Sequence, residues 1–273
     1  MPLSPRKQVV LGAAVALALT STASAQAKPD STPPPISDNS FLIEEAYNQE
    51  AGVVQHIFTY RRDRDDAWLA TFTQEWPIAG QLDQLSYTLP LMSLTGSGAA
   101  IGDFAINYRR QVLGRDDEPV WFAPRLSILL PTGNVRKGSG AGGPGAQFNL
   151  PLSVRINRGL VTHWNAGGSI IRAESVFGRR RTIRAVSAGA SAIWLAAPTL
   201  NVMLETVWDR VEALDEAGAR ASEESFVILP GVRGALNLPH DLQIVPGIGM
   251  PIGVGPSRGN RDLFLYLSFE HPF

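Results

Sequence analysis

After residue 25 the chain contains no apolar run of about 18 residues, the length a membrane-crossing helix needs. From Val53 to the end it consists instead of segments of about ten residues that alternate apolar and polar, separated by clusters of Gly, Pro, Asn and Asp. The clearest runs from Phe148 to Asn157. Its even positions are Phe148, Leu150, Leu152, Val154 and Ile156, and its odd positions are Asn149, Pro151, Ser153, Arg155 and Asn157. A strand of that pattern puts one face in an apolar medium and the other in a polar one, because successive side chains point to opposite faces. Gln84 to Leu91 and Leu200 to Asp209 repeat it.

Twelve such segments can be placed, over 53–60, 68–77, 84–91, 102–112, 120–130, 147–157, 160–170, 182–195, 200–209, 225–237, 242–253 and 262–273. The first, eighth and eleventh alternate poorly, which leaves ten and fourteen as neighbouring even counts. An even number of strands closing on itself leaves no unpaired edge, a requirement inside lipid. The expected fold is therefore all-β, an antiparallel transmembrane β-barrel of about 12 strands over residues 51–273.

Connection lengths point the same way. With the first strand rising from the periplasmic side, the outer loops are 61–67, 92–101, 131–146, 171–181, 210–224 and 254–261. The inner turns are 78–83, 113–119, 158–159, 196–199 and 238–241, and each of the last three is shorter than either loop beside it. Trp68, Trp76, Trp121, Trp194 and Trp208 fall near predicted strand ends, where indole rings favour the headgroup boundary.

The N-terminus supplies a route to such a membrane. Arg6 and Lys7 precede an apolar stretch from Val9 to Leu19, and Ala23-Ser24-Ala25 then offers small residues for cleavage before Gln26. Residues 1–25 thus read as a signal peptide and residues 26–50 as a separate segment. Within the latter, Lys28 to Ser37 is Pro-rich and reads as an extended linker. Ser40 could cap a short periplasmic helix over 41–47 with Glu44 and Glu45 in its first turns, the segment could plug the barrel from below, or it could fray as an N-terminal tail.

Composition removes other classes. There is no Cys, so no disulfide framework, thiol nucleophile or cysteine zinc site exists. Lys+Arg 24 against Asp+Glu 25 gives no basic footprint for nucleic acid. Gly138 to Gly145 is Gly-rich, but no Gly-Lys-Ser/Thr follows at the spacing a phosphate loop requires. None of His56, His163, His240 and His271 sits in a recognisable Ser/His register, so no catalytic residue, cofactor or metal site is expected. Acidic residues 212–224 offer oxygens without a fixed geometry for a cation. Arg179, Arg180, Arg181 and Arg184 could meet lipopolysaccharide phosphates at the outer leaflet.

With apolar side chains outward, the inward set includes Glu75, Asn107, Arg109, Arg125, Asn149, Arg155, His163, Glu205 and Arg233 as lumen-lining candidates. They could form a charged constriction selecting solutes by sign, or an internal network filling a narrow barrel.

Three further motifs carry a resemblance. Gly102-Asp103-Phe104-Ala105-Ile106-Asn107-Tyr108-Arg109, Leu130-Pro131-Thr132-Gly133 and Trp164-Asn165-Ala166-Gly167-Gly168 follow one another in that order, after Phe41 to Gln49. Together they resemble the outer-membrane transporter family named for the MetA pathway of phenol degradation. The C-terminal run from Asp262 to Phe273 resembles the assembly signal of bacterial outer-membrane barrels, departing from it at Ser268, His271 and Pro272. The resemblance implies bacterial outer-membrane location, contact with the barrel-assembly machinery and with outer-membrane lipids, and passage of small organic molecules, aromatic ones among them. A non-conducting structural, adhesion or lipid-contact barrel is the alternative, with a barrel lipase last.

Overall fold

The structure, a computed structural model, describes residue 36 and residues 40–78, 80–94, 98–114 and 118–272. The signal peptide expected over 1–25 and most of the Pro-rich stretch lie outside the described residues. Among the described residues all regular structure is strand, apart from two single 3-10 turns at Val135–Lys137 and Gly255–Ser257.

Val53–Arg62, Trp68–Pro77 and Asp83–Ser93 form the first three strands. The fourth comprises Ala100–Ile101 and Phe104–Arg110, the fifth Val120–Phe122 and Arg125–Leu130, the sixth Gly145–Asn149 and Leu152–Asn157. Leu160–Glu174, Arg180–Ala197, Leu200–Leu214 and Arg220–Gly234 are the seventh to tenth, the last extended by Leu236–Leu238. Leu242–Gly249 with Ile252–Gly253 make the eleventh, and Leu263–Pro272 the twelfth. Each pairs antiparallel with its neighbours in sequence, and the twelfth pairs with the first from Val53↔Pro272 to Arg62↔Leu263. The barrel is closed at 12 strands.

Three of the breaks within strands have a common cause. Pro124, Pro151 and Pro251 stand in the gaps of the fifth, sixth and eleventh strands, and a residue without an N–H cannot continue a ladder. Neighbouring backbone groups bridge the gaps: Ala123 N donates to Pro151 O at 3.2 Å, Leu150 N to Ala166 O at 2.9 Å, and Met250 N to Pro230 O at 3.1 Å.

Side-chain parity is that of a protein turned inside out. Along the fifth strand Leu126 is 65% exposed, Ser127 4% and Ile128 58%; along the ninth Leu204 is 51% exposed and Glu205 0%. Apolar atoms face outward and polar ones inward, which is stable only against acyl chains. A contiguous apolar surface on this scale would not persist on a water-soluble monomer. The barrel is an outer-membrane barrel.

The interior is not uniformly polar. Ile193, Met203, Leu229, Val245, Phe264 and Tyr266 point inward from the eighth to twelfth strands and pack with Ile36 and Phe41. Buried polar side chains line the rest of the wall and also stand among these strands, Glu205 and Arg233 included. Trp121, expected at the headgroup boundary, also turns inward and is 5% exposed. Its ring meets the Tyr47 ring edge-on at 5.6 Å and the Arg155 guanidinium at 4.8 Å.

The outer loops are shorter than expected on one side of the barrel. The seventh to tenth strands run 15, 18, 15 and 15 residues, so most of 171–181 and 210–224 is strand. Above the lipid the ladder continues without an apolar face, and alternation stops reporting it. Ion pairs such as Arg180–Glu174 at 2.7 Å stand there instead. Both hairpins turn through a glycine in left-handed backbone, Gly178 at φ 78° and Gly218 at φ 82°.

Candidate functional site

The candidate site is the lumen together with the segment that crosses it. Ile36 is anchored where its N donates to Pro198 O, in the turn between the eighth and ninth strands, at 2.9 Å. From Ser40 the chain climbs to about the middle of the barrel and descends on the opposite side to Gln49 before entering the first strand. It touches nearly every stave on the way.

No helix forms over 41–47. Its first N–H groups are taken by a wall residue: both carboxylate oxygens of Glu205 accept, from Phe41 N at 2.6 Å, Leu42 N at 2.8 Å and Ile43 N at 3.2 Å. The first three N–H groups of a helix have no acceptor within it, so these contacts alone would be compatible with one; the donors that would close its first turns, Glu44 N and Ala46 N, go to wall side chains instead. Ser40 Oγ donates to Ser191 Oγ at 2.6 Å. Beyond Ile43, Glu44 N donates to Asn165 Oδ1, Ala46 N to Ser153 Oγ, Asn48 N to Gln111 Oε1 and Gln49 N to Gln84 Oε1, all within 3.2 Å. The segment is a plug held by its backbone.

Two guanidiniums hold its side chains. Arg125 grips the Glu44 carboxylate through Nε at 2.9 Å from each oxygen and through Nη2 at 2.6 Å. Arg109, 4% exposed, donates to Glu45 Oε1 at 3.1 Å, Asn48 Oδ1 at 2.8 Å and Tyr47 O at 2.9 Å. Glu75 lies 3.9 Å from Arg109 and accepts from Gln84 Nε2 at 2.7 Å. Opposite charges therefore meet chiefly between wall and plug. Asp103, which could have opposed these arginines, instead accepts from Gly133 N and Ala141 N and pins the loop between the fifth and sixth strands.

The remaining candidates fall into place around the plug. Asn107 Oδ1 accepts from Arg125 Nη1 at 3.0 Å and Ser127 Oγ at 2.7 Å, and Asn149 Nδ2 donates to Asn165 Oδ1 at 2.9 Å. His163 Nδ1 is 2.7 Å from Ser153 Oγ. That hydroxyl also accepts from Ala46 N. Arg233 is buried with its guanidinium 5.7 Å from the Tyr266 ring. Arg155 stands apart, exposed at the inner end over Trp121.

On the apolar wall the plug docks through shape. The Phe41 ring lies 5.2 Å from that of Phe264 and 5.4 Å from that of Tyr266. A Cβ built on Gly231 would sit 2.4 Å from Phe41 Cε2, one on Gly247 2.7 Å from Cε1, and one on Gly189 2.4 Å from Ile43 Cδ1. All three glycines occupy inward positions, where the plug takes the space a side chain would need. Gly231→Ala is expected to lift Phe41 from its seat and weaken docking by about 1–3 kcal/mol. Protease protection of residues 40–50 would fall while the barrel remained intact.

Acid should loosen the plug as well. The position of Glu44 inside the barrel works to raise its carboxyl pKa, but the Arg125 charge and hydrogen bonds, helped by Arg109, outweigh this and hold it below 4.5. A depressed carboxylate contributes stability that is complete above its ordinary value and is lost as acid protonates the docked form. The part of plug protection that Glu44 supplies is expected to be constant above about pH 4.5 and to decline below it.

Above the plug, away from the inner turns, lies a cavity of about 150 Å³. Glu44, Arg125, Gln147, Asn165, Ser187 and Asp209 supply its polar lining, and Leu42, Ile43 and Val207 part of its apolar one.

Sequence reasoning did not single out Glu44, Glu45 and Asn48 as partners of the wall, nor Gln84, Gln111 and Ser191. The inward glycines were the available signal, since Gly weakens a strand unless something approaches closely.

No family model matches the sequence. No curated protein matches it either. Among solved structures, the fold is similar to an outer-membrane channel from Pseudomonas putida F1, with TM-score 0.59 and 12% identity over 84% of this chain and 98% of that one. It is also similar to the NanC porin, with TM-score 0.50 and 10% identity over 81% of this chain and all of that one. These likenesses concern the fold.

Proposed function

We propose that the protein is a passive outer-membrane channel for small organic solutes, normally closed by residues 40–50. The observation that carries this reading is the way the plug is held. Its backbone hydrogen-bonds to wall side chains and its two carboxylates pair with wall arginines, so the segment can leave without unpairing a single barrel strand. A structural barrel of this size could fill its interior with wall side chains alone. Here a removable peptide does much of the filling, beneath a polar cavity that faces outward. The fold similarity to an outer-membrane channel and a porin supports the same reading. Aromatic solutes, suggested by the family resemblance, are the first to test.

Liposome swelling tests it. Vesicles carrying the protein should swell in small aromatic and aliphatic solutes faster than protein-free vesicles, and the rate should fall with solute size. Swelling indistinguishable from that of empty vesicles for every solute would favour the non-conducting barrel.

A further inference from the structure

The Arg125–Glu44 pair forms part of the cavity wall, and neither side chain is sealed off: Arg125 is 13% exposed and Glu44 31%. Arg125 Nε donates to both Glu44 oxygens at 2.9 Å and Nη2 lies 2.6 Å from one of them, so the carboxylate sits on the forked Nε/Nη2 edge that arginine can offer to any carboxylate. Asn107 Oδ1 and Gln147 Oε1 accept from the Arg125 Nη groups and fix the fork from behind. Glu44 belongs to the plug while Arg125, Gln147 and Asn165 belong to the wall. The wall therefore contains a preorganised carboxylate receptor whose present occupant is a residue of the plug.

We propose that this receptor is a solute site for small monocarboxylates, and that a solute carboxylate replaces that of Glu44 on Arg125 and so loosens the plug. The inference rests on the channel reading and names its solute class. Competition follows from the geometry, because two carboxylates cannot occupy one fork. Asn165 extends the coupling: it accepts from Glu44 N at 2.9 Å and donates to Glu44 O at 2.8 Å, so displacing Glu44 disturbs the backbone latch as well. The rest of the cavity limits the class. Asp209 on the ninth strand carries a second negative charge in the lining, with Ser225 Oγ at 3.5 Å as its hydrogen-bond donor. It disfavours dicarboxylates, while Leu42, Ile43 and Val207 accept an apolar tail.

Benzoate, its neutral isostere benzamide and the dianion terephthalate are the probes. The chain has no Cys, so Ser40→Cys, a near-isosteric change on the plug, gives a single thiol whose labelling by a water-soluble maleimide reports plug release. Benzoate should accelerate labelling of the full-length protein, and benzamide and terephthalate should not. Calorimetry on the protein without the reporter should show benzoate binding that Glu44→Gln tightens about tenfold, because the internal competitor is weakened. Arg125→Lys, which keeps the charge and loses the fork, should weaken binding by at least about tenfold. Equal responses to benzoate and benzamide, or no change in affinity in Glu44→Gln, would overturn the site. Because Glu44→Gln retains the plug's shape, that arm stands even if the Arg125 variant fails to fold. Swelling in neutral solutes with no benzoate binding would remove the carboxylate site and leave the channel. Benzoate binding with no swelling in any solute would remove the channel and leave the site.

Discussion

Glu205→Ala is expected to free the plug more completely than any other single change in the barrel wall. The side chain is 0% exposed and accepts three consecutive backbone N–H groups of the plug. Each buried donor left without its acceptor costs about 1–3 kcal/mol. The three share one carboxylate and do not add independently, so roughly 3–5 kcal/mol is expected for the set, as for other buried charged contacts broken on one side. That shifts the docked-to-released ratio by roughly a hundredfold to a few thousandfold. Glu205→Gln keeps one carbonyl acceptor and should fall between. The check is protease or thiol accessibility of residues 40–50, with the barrel's own unfolding followed separately. The Glu205 side chain makes its hydrogen bonds to the plug, so the barrel transition should move far less than the accessibility.

Leu204→Arg, one residue away, is expected to act in the opposite way. Leu204 faces outward at 51% exposure near the middle of the apolar band of its strand. An arginine facing lipid there costs about 2–4 kcal/mol. The loss should appear in the folding equilibrium of the barrel in lipid, with plug protection unchanged while the barrel persists. Thr73→Arg, on an inward position of the second strand where Thr73 Oγ1 meets Thr88 Oγ1 at 2.9 Å, should cost much less. Adjacent residues thus separate two energetics, one set by acyl chains and the other by the plug.

The contrast explains which parts of the molecule were legible in its sequence. Lipid imposes a rule on every residue it touches, so the strand over 147–157 could be read with the correct side outward from alternation alone. Where lipid ends, the rule ends. The extra residues of the seventh to tenth strands carry Arg172, Arg180, Arg181, Glu212 and Glu223 with no apolar face, and they read as loop although they continue the ladder. Inside the barrel, parity said that Glu205, Arg109 and Arg125 would not face lipid, and nothing local could say what they meet. Phe41 and Glu205 are separated by 164 residues and Glu44 and Arg125 by 81. The plug has neither helical nor strand periodicity because its backbone bonds go to side chains. Trp121 misled for a related reason: its place near a strand end suggested the headgroup boundary, but its parity set it against Tyr47.

Glycine gave the faintest readable trace of the plug. Gly189, Gly231, Gly247 and Gly249 all take inward positions on the eighth, tenth and eleventh strands, where glycine weakens a sheet without benefit to the wall. A bulky segment pressed against that wall removes the paradox, and Phe41 and Ile43 provide it. The arrangement also suits a closure that must open, since shape complementarity against backbone and hydrogen bonds to side chains can both be re-formed after release.

Single-channel recording of the protein beside a form lacking residues 40–50 tests most directly whether this segment closes a conducting barrel. The intact protein should stay shut for most of the record with brief openings, and the shortened one should show sustained, larger conductance. Two equally silent records, from a deletion form that still folds as a barrel, would contradict it.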